Sequence, residues 1–184
     1  MPPPVLEREV SVDADGYHLA GTLCLPGEGG RFPIVLMLPG SGPIDRDENM
    51  RGQKLDIFNT IAHRLAESGV ASLRYDKRGC GRSAGDHYRA GFSGAVADAA
   101  RWADWCLSAE SCEGRVFLLG HSEGTAIAAN LSLQRPVSGL VLLCPFIADM
   151  ESISKPGWSN SPTAYNRAVG KQRQISRREQ RRDL

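Results

Sequence analysis

The run Gly120-His121-Ser122-Glu123-Gly124 sets one serine between two glycines, each two residues away. A serine hydroxyl becomes useful as a nucleophile when a sharp strand-to-helix turn projects it into an open cleft. Glycines on both sides of that turn let strand and helix approach closely. The flanks suit such a turn: Val116-Phe117-Leu118-Leu119 reads as a buried strand, and an Ala-rich helix starts near Glu123. The N-terminus of that helix adds partial positive charge and free N–H groups beside the serine. The chemistry this arrangement could perform is acyl transfer, with Ser122 as the nucleophile.

Two glycine-rich loops stand where they could complete such a site. One is Pro39-Gly40-Ser41-Gly42-Pro43-Ile44-Asp45-Arg46-Asp47-Glu48-Asn49, after the apolar run Pro33–Leu38; the other is Asp76–Gly85, after Val70–Tyr75. Other chemistries lack their signatures. His121-x-Glu123 begins a zinc-deaminase pattern, but no Pro-Cys-x-x-Cys follows it. Gly79-Cys80-Gly81 with Gly85 misses the dinucleotide spacing by one, and no Gly-Lys-Ser/Thr forms a P-loop. No metal and no cofactor are expected.

The elements that must position these residues alternate in type. Val5–Val12 and His18–Leu25 read as a hairpin around Asp13-Ala14-Asp15-Gly16. Pro33–Leu38 is apolar throughout, as a strand buried on both faces would be. Residues 53–68 carry Leu55, Phe58, Ile61, Ala62 and Leu65 at helical spacing up to Ser68-Gly69. Val70–Tyr75 is the next strand and residues 94–107 the next helix, followed by a strand at Arg115–Leu119, a helix at Glu123–Leu133 and a strand at Gly139–Leu143. A hairpin followed by buried strands alternating with helices predicts an α/β fold, a mostly parallel sheet with helices on both faces.

In these motifs the chain resembles the α/β-hydrolases over roughly residues 5–150. The GxSxG turn, the loop Leu38–Asn49 and the turn Asp76-Lys77-Arg78-Gly79-Cys80-Gly81-Arg82-Ser83 carry the resemblance, which is strongest to bacterial acyl esterases and serine aminopeptidase-like enzymes. It implies hydrolysis of a small-molecule ester or peptide through an acyl group on Ser122. The implied oxyanion hole uses the backbone N–H groups of Glu123 and of Ser41 or Gly42. Arg46 and Asp47 fall near the expected cleft mouth as substrate-proximal residues, with ion pairing within the loop as the competing reading. Asp76 and Arg78 are expected to hold their turn.

The family's order of serine, acid, histidine is incomplete here. The histidines are His18, His63, His87 and His121, and none follows Ser122. His121 should point away from the serine, and His87 follows the loop nearest the cleft; no base is assigned. Asp149 is the candidate acid. Gly139–Leu143 is expected as an exposed apolar edge open to self-association. These features predict an incomplete hydrolase domain over 1–150, truncated after about the sixth strand by a frameshift or early gene end. A catalytically dead pseudoenzyme, or a binding module using the cleft or that edge, is the alternative.

Residues 151–184 read as a polar, basic, disordered tail. From Lys155 onward eight basic residues face two acids, +6 in all, against −5 for the rest of a chain whose net charge is +1. No aromatic residues interleave the arginines after residue 170, so no nucleic-acid partner is expected. Five cysteines without a framework, no signal peptide and no apolar run of membrane length predict a soluble, cytoplasmic protein.

Overall fold

The computed structural model describes residues 5–145. The expected acid Asp149 and the expected tail 151–184 lie outside the described residues. In chain order the elements are β1 (Leu6–Ala14), β2 (Tyr17–Leu25), β3 (Phe32–Leu38), α1 (Ile57–Glu67), β4 (Ala71–Tyr75), α2 (His87–Ser108), β5 (Cys112–His121), α3 (Glu123–Ser132) and β6 (Gly139–Leu143).

One six-stranded sheet runs in the order β1-β2-β4-β3-β5-β6. The first two strands form an antiparallel hairpin closed by Asp15 and Gly16, both at positive φ (54° and 79°), as a two-residue primed turn requires. β2 pairs antiparallel with β4, and the β4-β3-β5-β6 pairings are all parallel. The α/β expectation is met, with helices on both faces.

Alternation along the central strands explains their apolar sequences. Ile34, Leu36 and Leu38 of β3, with Val116 and Leu118 of β5, join α2 and α3 in the larger core around Trp102. Val35, Met37 and Leu119 face the other way, where Phe58, Ala62 and Ala66 of α1 cover them. The stretches Ile34–Leu38 and Val116–Leu119 are covered on both faces, so no polar residue interrupts them.

Two helices differ from the sequence reading. The helix expected over 53–68 begins only at Ile57, because Asn49 Oδ1 accepts from the backbone N–H groups of Leu55 (2.7 Å) and Asp56 (2.9 Å). Leu55 is thereby left exposed. The helix expected over 94–107 extends back to His87 across a break at Gly91 (φ 60°, ψ −176°), and Asp86 caps its start by accepting from Tyr88 N–H at 2.9 Å. Among the described residues β6 pairs on one side only, and Leu140, Val141 and Leu142 are 41%, 45% and 41% exposed.

Candidate active site

The carboxyl ends of parallel strands are where an open sheet of this type presents its crevice, and here β3, β4 and β5 end together. Ser122 follows β5 directly and stands as the N-cap of α3 with φ 52° and ψ −115°. A non-glycine residue at positive φ costs about 1–3 kcal/mol and persists only where its surroundings dictate it. They do so here. The Ser122 N–H donates to Leu143 O (3.0 Å), and its carbonyl accepts from Thr125 N–H (3.0 Å) and Thr125 Oγ1 (2.6 Å). A Cβ on Gly120 would lie 2.3 Å from Gly124 O, and one on Gly124 only 2.0 Å from Leu38 O. A serine at an N-cap ordinarily turns its hydroxyl back to the helix; Ser122 makes no such side-chain bond, so the hydroxyl is left for other chemistry.

The loop after β3 lies against this turn. A Cβ on Gly40 would stand 3.2 Å from His121 Nδ1 and 3.5 Å from Ser122 Cβ, so a side chain here would fit only if the His121 ring gave way by a few tenths of an ångström. Ser41 and Gly42 come next, Gly42 at φ 90°. Among the described residues the N–H groups of Ser41, Gly42 and Glu123 donate to no protein acceptor. The three groups expected as oxyanion donors thus cluster at the carboxyl end of the sheet with their hydrogens uncommitted.

Arg46 and Asp47 do not take the cleft-facing position expected of them. Arg46 is buried (8% exposed) and bonds Asp76 Oδ2 at 2.6 Å, Thr22 Oγ1 at 2.6 Å and both Glu9 oxygens at 2.9 and 3.0 Å. Asp47 is taken by Arg74, and burial pushes its carboxyl up despite that partner. Neither lines the cavity at the site. The physical reason is desolvation: once the loop folds onto β1, β2 and β4, a buried guanidinium must be paired. Burial alone would raise the Asp76 carboxyl, but bonds from the Arg46 side chain and from the Arg82 and Arg46 backbone hold it below its ordinary value. Asp76 and Arg78 hold their turn as the sequence reading expected, Arg78 through buried Asp98.

A cavity of about 240 Å³ opens beside the turn, lined on one side by Pro39, Gly42, Lys77 and Glu123 and on the other by His87, Tyr88, Gly91 and Phe92 of α2. His87 was read near the cleft, but the roles of Lys77, Tyr88, Gly91 and Phe92 in lining it were not, although a lysine in the turn directly after a buried strand was a readable signal. His87 faces this space, and burial, with Lys77 nearby, lowers its pKa, favouring the neutral ring. His63 contacts Glu7 Oε1 at 2.8 Å and His121 contacts Glu48 Oε2 at 3.1 Å, both engaged elsewhere. Among the described residues no hydrogen bond reaches the Ser122 hydroxyl.

Glu7, Cys24 and His63 bring possible metal-ligand atoms within 4.8 Å of one another. The chemistry of the set does not suit a cation. Burial pushes the Cys24 thiol up to about 11, and the Arg74 guanidinium already donates to the same Glu7 oxygen that His63 contacts. The group is an ion-pair cluster between the first strand and α1.

Residues 51–182 match the family described as "Serine aminopeptidase, S33". The chain belongs to the α/β-hydrolases. It is similar to Esterase EstD of Thermotoga maritima, 30% identical over 147 residues that make up 80% of this chain and 34% of the relative. An uncharacterised protein of Mycobacterium tuberculosis is 31% identical over 153 residues, 81% of this chain and 50% of that one. The chain therefore spans between about a third and half the length of these curated relatives. Among solved structures, Est1E of Butyrivibrio proteoclasticus with ferulic acid bound shares the fold at a TM-score of 0.65 and 21% identity, covering 84% of this chain and 61% of that one. The chain has no helix among its described residues that is long and apolar enough to cross a membrane.

Proposed function

We infer that the chain is a serine hydrolase that cleaves carboxylic ester or amide bonds through an acyl group carried on Ser122. The observation behind this reading is the Ser122 hydroxyl itself, held at a strained positive φ on a helix N-cap without the bond such a residue normally makes. Ser122 Oγ attacks the substrate carbonyl carbon, and the negative charge moves onto the carbonyl oxygen. The N–H groups of Glu123 and of Ser41 or Gly42 receive that charge, an interaction worth about 3–4 kcal/mol per donor in a related setting. Collapse of the intermediate expels the alcohol or amine, and water then releases the acid. The esterase relative supports an ester substrate. Five free cysteines and the absence of a membrane-length helix among the described residues suit a reducing, cytoplasmic setting.

The step with no assigned group is removal of the serine proton. Of the four histidines only His87 lines the cavity. A second reading, a binding module that retains the cleft, is favoured by the lack of any bond to the Ser122 hydroxyl among the described residues. A fluorophosphonate probe separates the two. Labelling that disappears in Ser122→Ala supports the hydrolase; a folded chain that stays unlabelled overturns it for the binding module.

A further inference from the structure

Both backbone polar groups of Gly40, which belong to successive peptide planes, are held, each by a side chain that also contacts a residue flanking Ser122. The Gly40 N–H donates to Glu48 Oε1 at 2.8 Å, and the other oxygen of Glu48 lies 3.1 Å from His121 Nδ1. The Gly40 carbonyl accepts from Lys77 Nζ at 2.8 Å, and that ammonium pairs with Glu123 at 3.0 Å. His121 immediately precedes Ser122, and Glu123 immediately follows it. Glu48 and Lys77 are both buried, at 4% and 6% exposure. Glu48 sits at φ 66°, a left-handed conformation that its own loop does not favour. Removing two charged side chains from water and straining one backbone is costly. Neither side chain is needed to fill the apolar core.

We propose that Glu48 and Lys77 are positioning residues that clamp the two peptide planes meeting at Gly40, fixing the Ser41 and Gly42 N–H groups against Ser122. The clamp rests on the Ser122 reading for its purpose, but its geometry is independent of it. Gly40 carries no side chain, so at this point the loop has no packing with which to hold register against the turn; its buried apolar side chain, Ile44, lies four residues further on. Two hydrogen bonds of opposite polarity replace that packing. They are directional: the Pro39–Gly40 plane cannot turn without losing the carboxylate, nor the Gly40–Ser41 plane, which carries the Ser41 N–H, without losing the ammonium. Oxyanion donors work only when aimed before the reaction, and a displacement near 1 Å costs about a hundredfold in rate.

The test uses the 184-residue chain labelled with ¹⁵N, compared with Glu48→Ala, Lys77→Met and an exposed control, Arg64→Ala. Backbone order parameters of Ser41 and Gly42 near 0.85 in the parent and the control are expected to fall below about 0.6 in both clamp variants, with the sheet amides unchanged. If Ser41 and Gly42 stay as rigid as in the parent, the clamp is overturned. Should Glu48→Ala not fold, Glu48→Gln takes its place; it keeps an acceptor for Gly40, and an upfield shift of the Gly40 amide proton with partial loosening supports the clamp, while an unmoved proton opposes it. Fluorophosphonate kinetics then read the purpose. The maximal labelling rate should drop about tenfold to a hundredfold while half-saturation holds, and Lys77→Arg should recover part of it; equal rates in parent and variants refute a positioning role. A parent chain that is never labelled removes the hydrolase reading alone, since the order parameters still decide the clamp.

Discussion

The two walls of the cavity are built on opposite principles. On the side of the β3 loop nearly every charged group is committed: Arg46 to Asp76 and Glu9, Glu48 to Gly40 and His121, Lys77 to Gly40 and Glu123, Asp45 to the N–H groups of Asp47 and Asn49. On the other side the first turn of α2 presents Tyr88 and Phe92, 84% and 45% exposed, on either side of a backbone break at Gly91. A frame that must aim hydrogen-bond donors cannot move, whereas a wall that meets the variable part of a substrate gains from being lightly anchored. On the proposed reading, one wall serves the chemistry and the other the choice of substrate.

The contrast is tested most severely where the rigid side has no space at all. Gly124→Ala would put a Cβ 2.0 Å from the Leu38 carbonyl oxygen. Backbone cannot give way there as a flexible side chain could, so the expected loss is about 5 kcal/mol, among the largest single-residue effects. Urea unfolding checks it, and a loss under 1 kcal/mol would show that strand β3 and α3 are not locked together.

Next comes the charged frame. Asp76→Ala strands the buried Arg46 guanidinium with only the half-exposed Glu9 and Thr22 as partners, and should cost about 3 kcal/mol. The same pair carries a pH signature. The Asp76 pKa lies below its ordinary 3.8 in the folded chain, so the unfolded chain binds the proton more readily. The stabilisation is whole above that ordinary value and disappears as pH falls through the folded one. The urea midpoint of the parent should therefore drop faster below pH 4 than that of Asp76→Ala. Parallel acid profiles would remove Asp76 from the frame.

How far the sequence disclosed all this follows the same division. The parallel core was legible because Ile34–Leu38 and Val116–Leu119 are apolar at every position, which only two-sided burial allows. The turn at Ser122 was legible because its glycines answer a steric need with a fixed spacing. For Arg46 and Asp47 the sequence left substrate contact and ion pairing both open: spacing puts them after the right strand, but only the folded loop decides for ion pairing, because β1 and β4 present Glu9 and Arg74 to receive them. The late start of α1 depends on one side chain, Asn49, capturing Leu55 and Asp56 before they can turn into helix. Lys77 stayed unread because its partners are 37 and 46 residues away.

On the loose wall the effects should shrink. Gly91→Ala meets nothing within 4 Å, so its cost is the backbone alone. The combination of φ 60° and ψ −176° is open essentially only to glycine, giving about 1–2 kcal/mol. A variant as stable as the parent would mean that α2 can straighten across the break.

Tyr88→Ala is the smallest and the most telling. The side chain is 84% exposed and stacks edge-on to His87 at 5.2 Å without joining either core. Its removal should leave unfolding within about 0.5 kcal/mol of the parent, as for surface substitutions in general. The same change strips an aromatic face from the cavity beside His87. Inhibition or labelling by a series of phosphonates differing only in the alkyl or aryl group should then reorder, with aryl members losing the most, while the methyl member stays unchanged. A stability loss well beyond that range would make Tyr88 part of the frame, and an unaltered order of probes would mean that this wall does not meet the substrate. Either result erases the division between a wall that aims and a wall that selects, because that division requires stability and selectivity to part company at Tyr88.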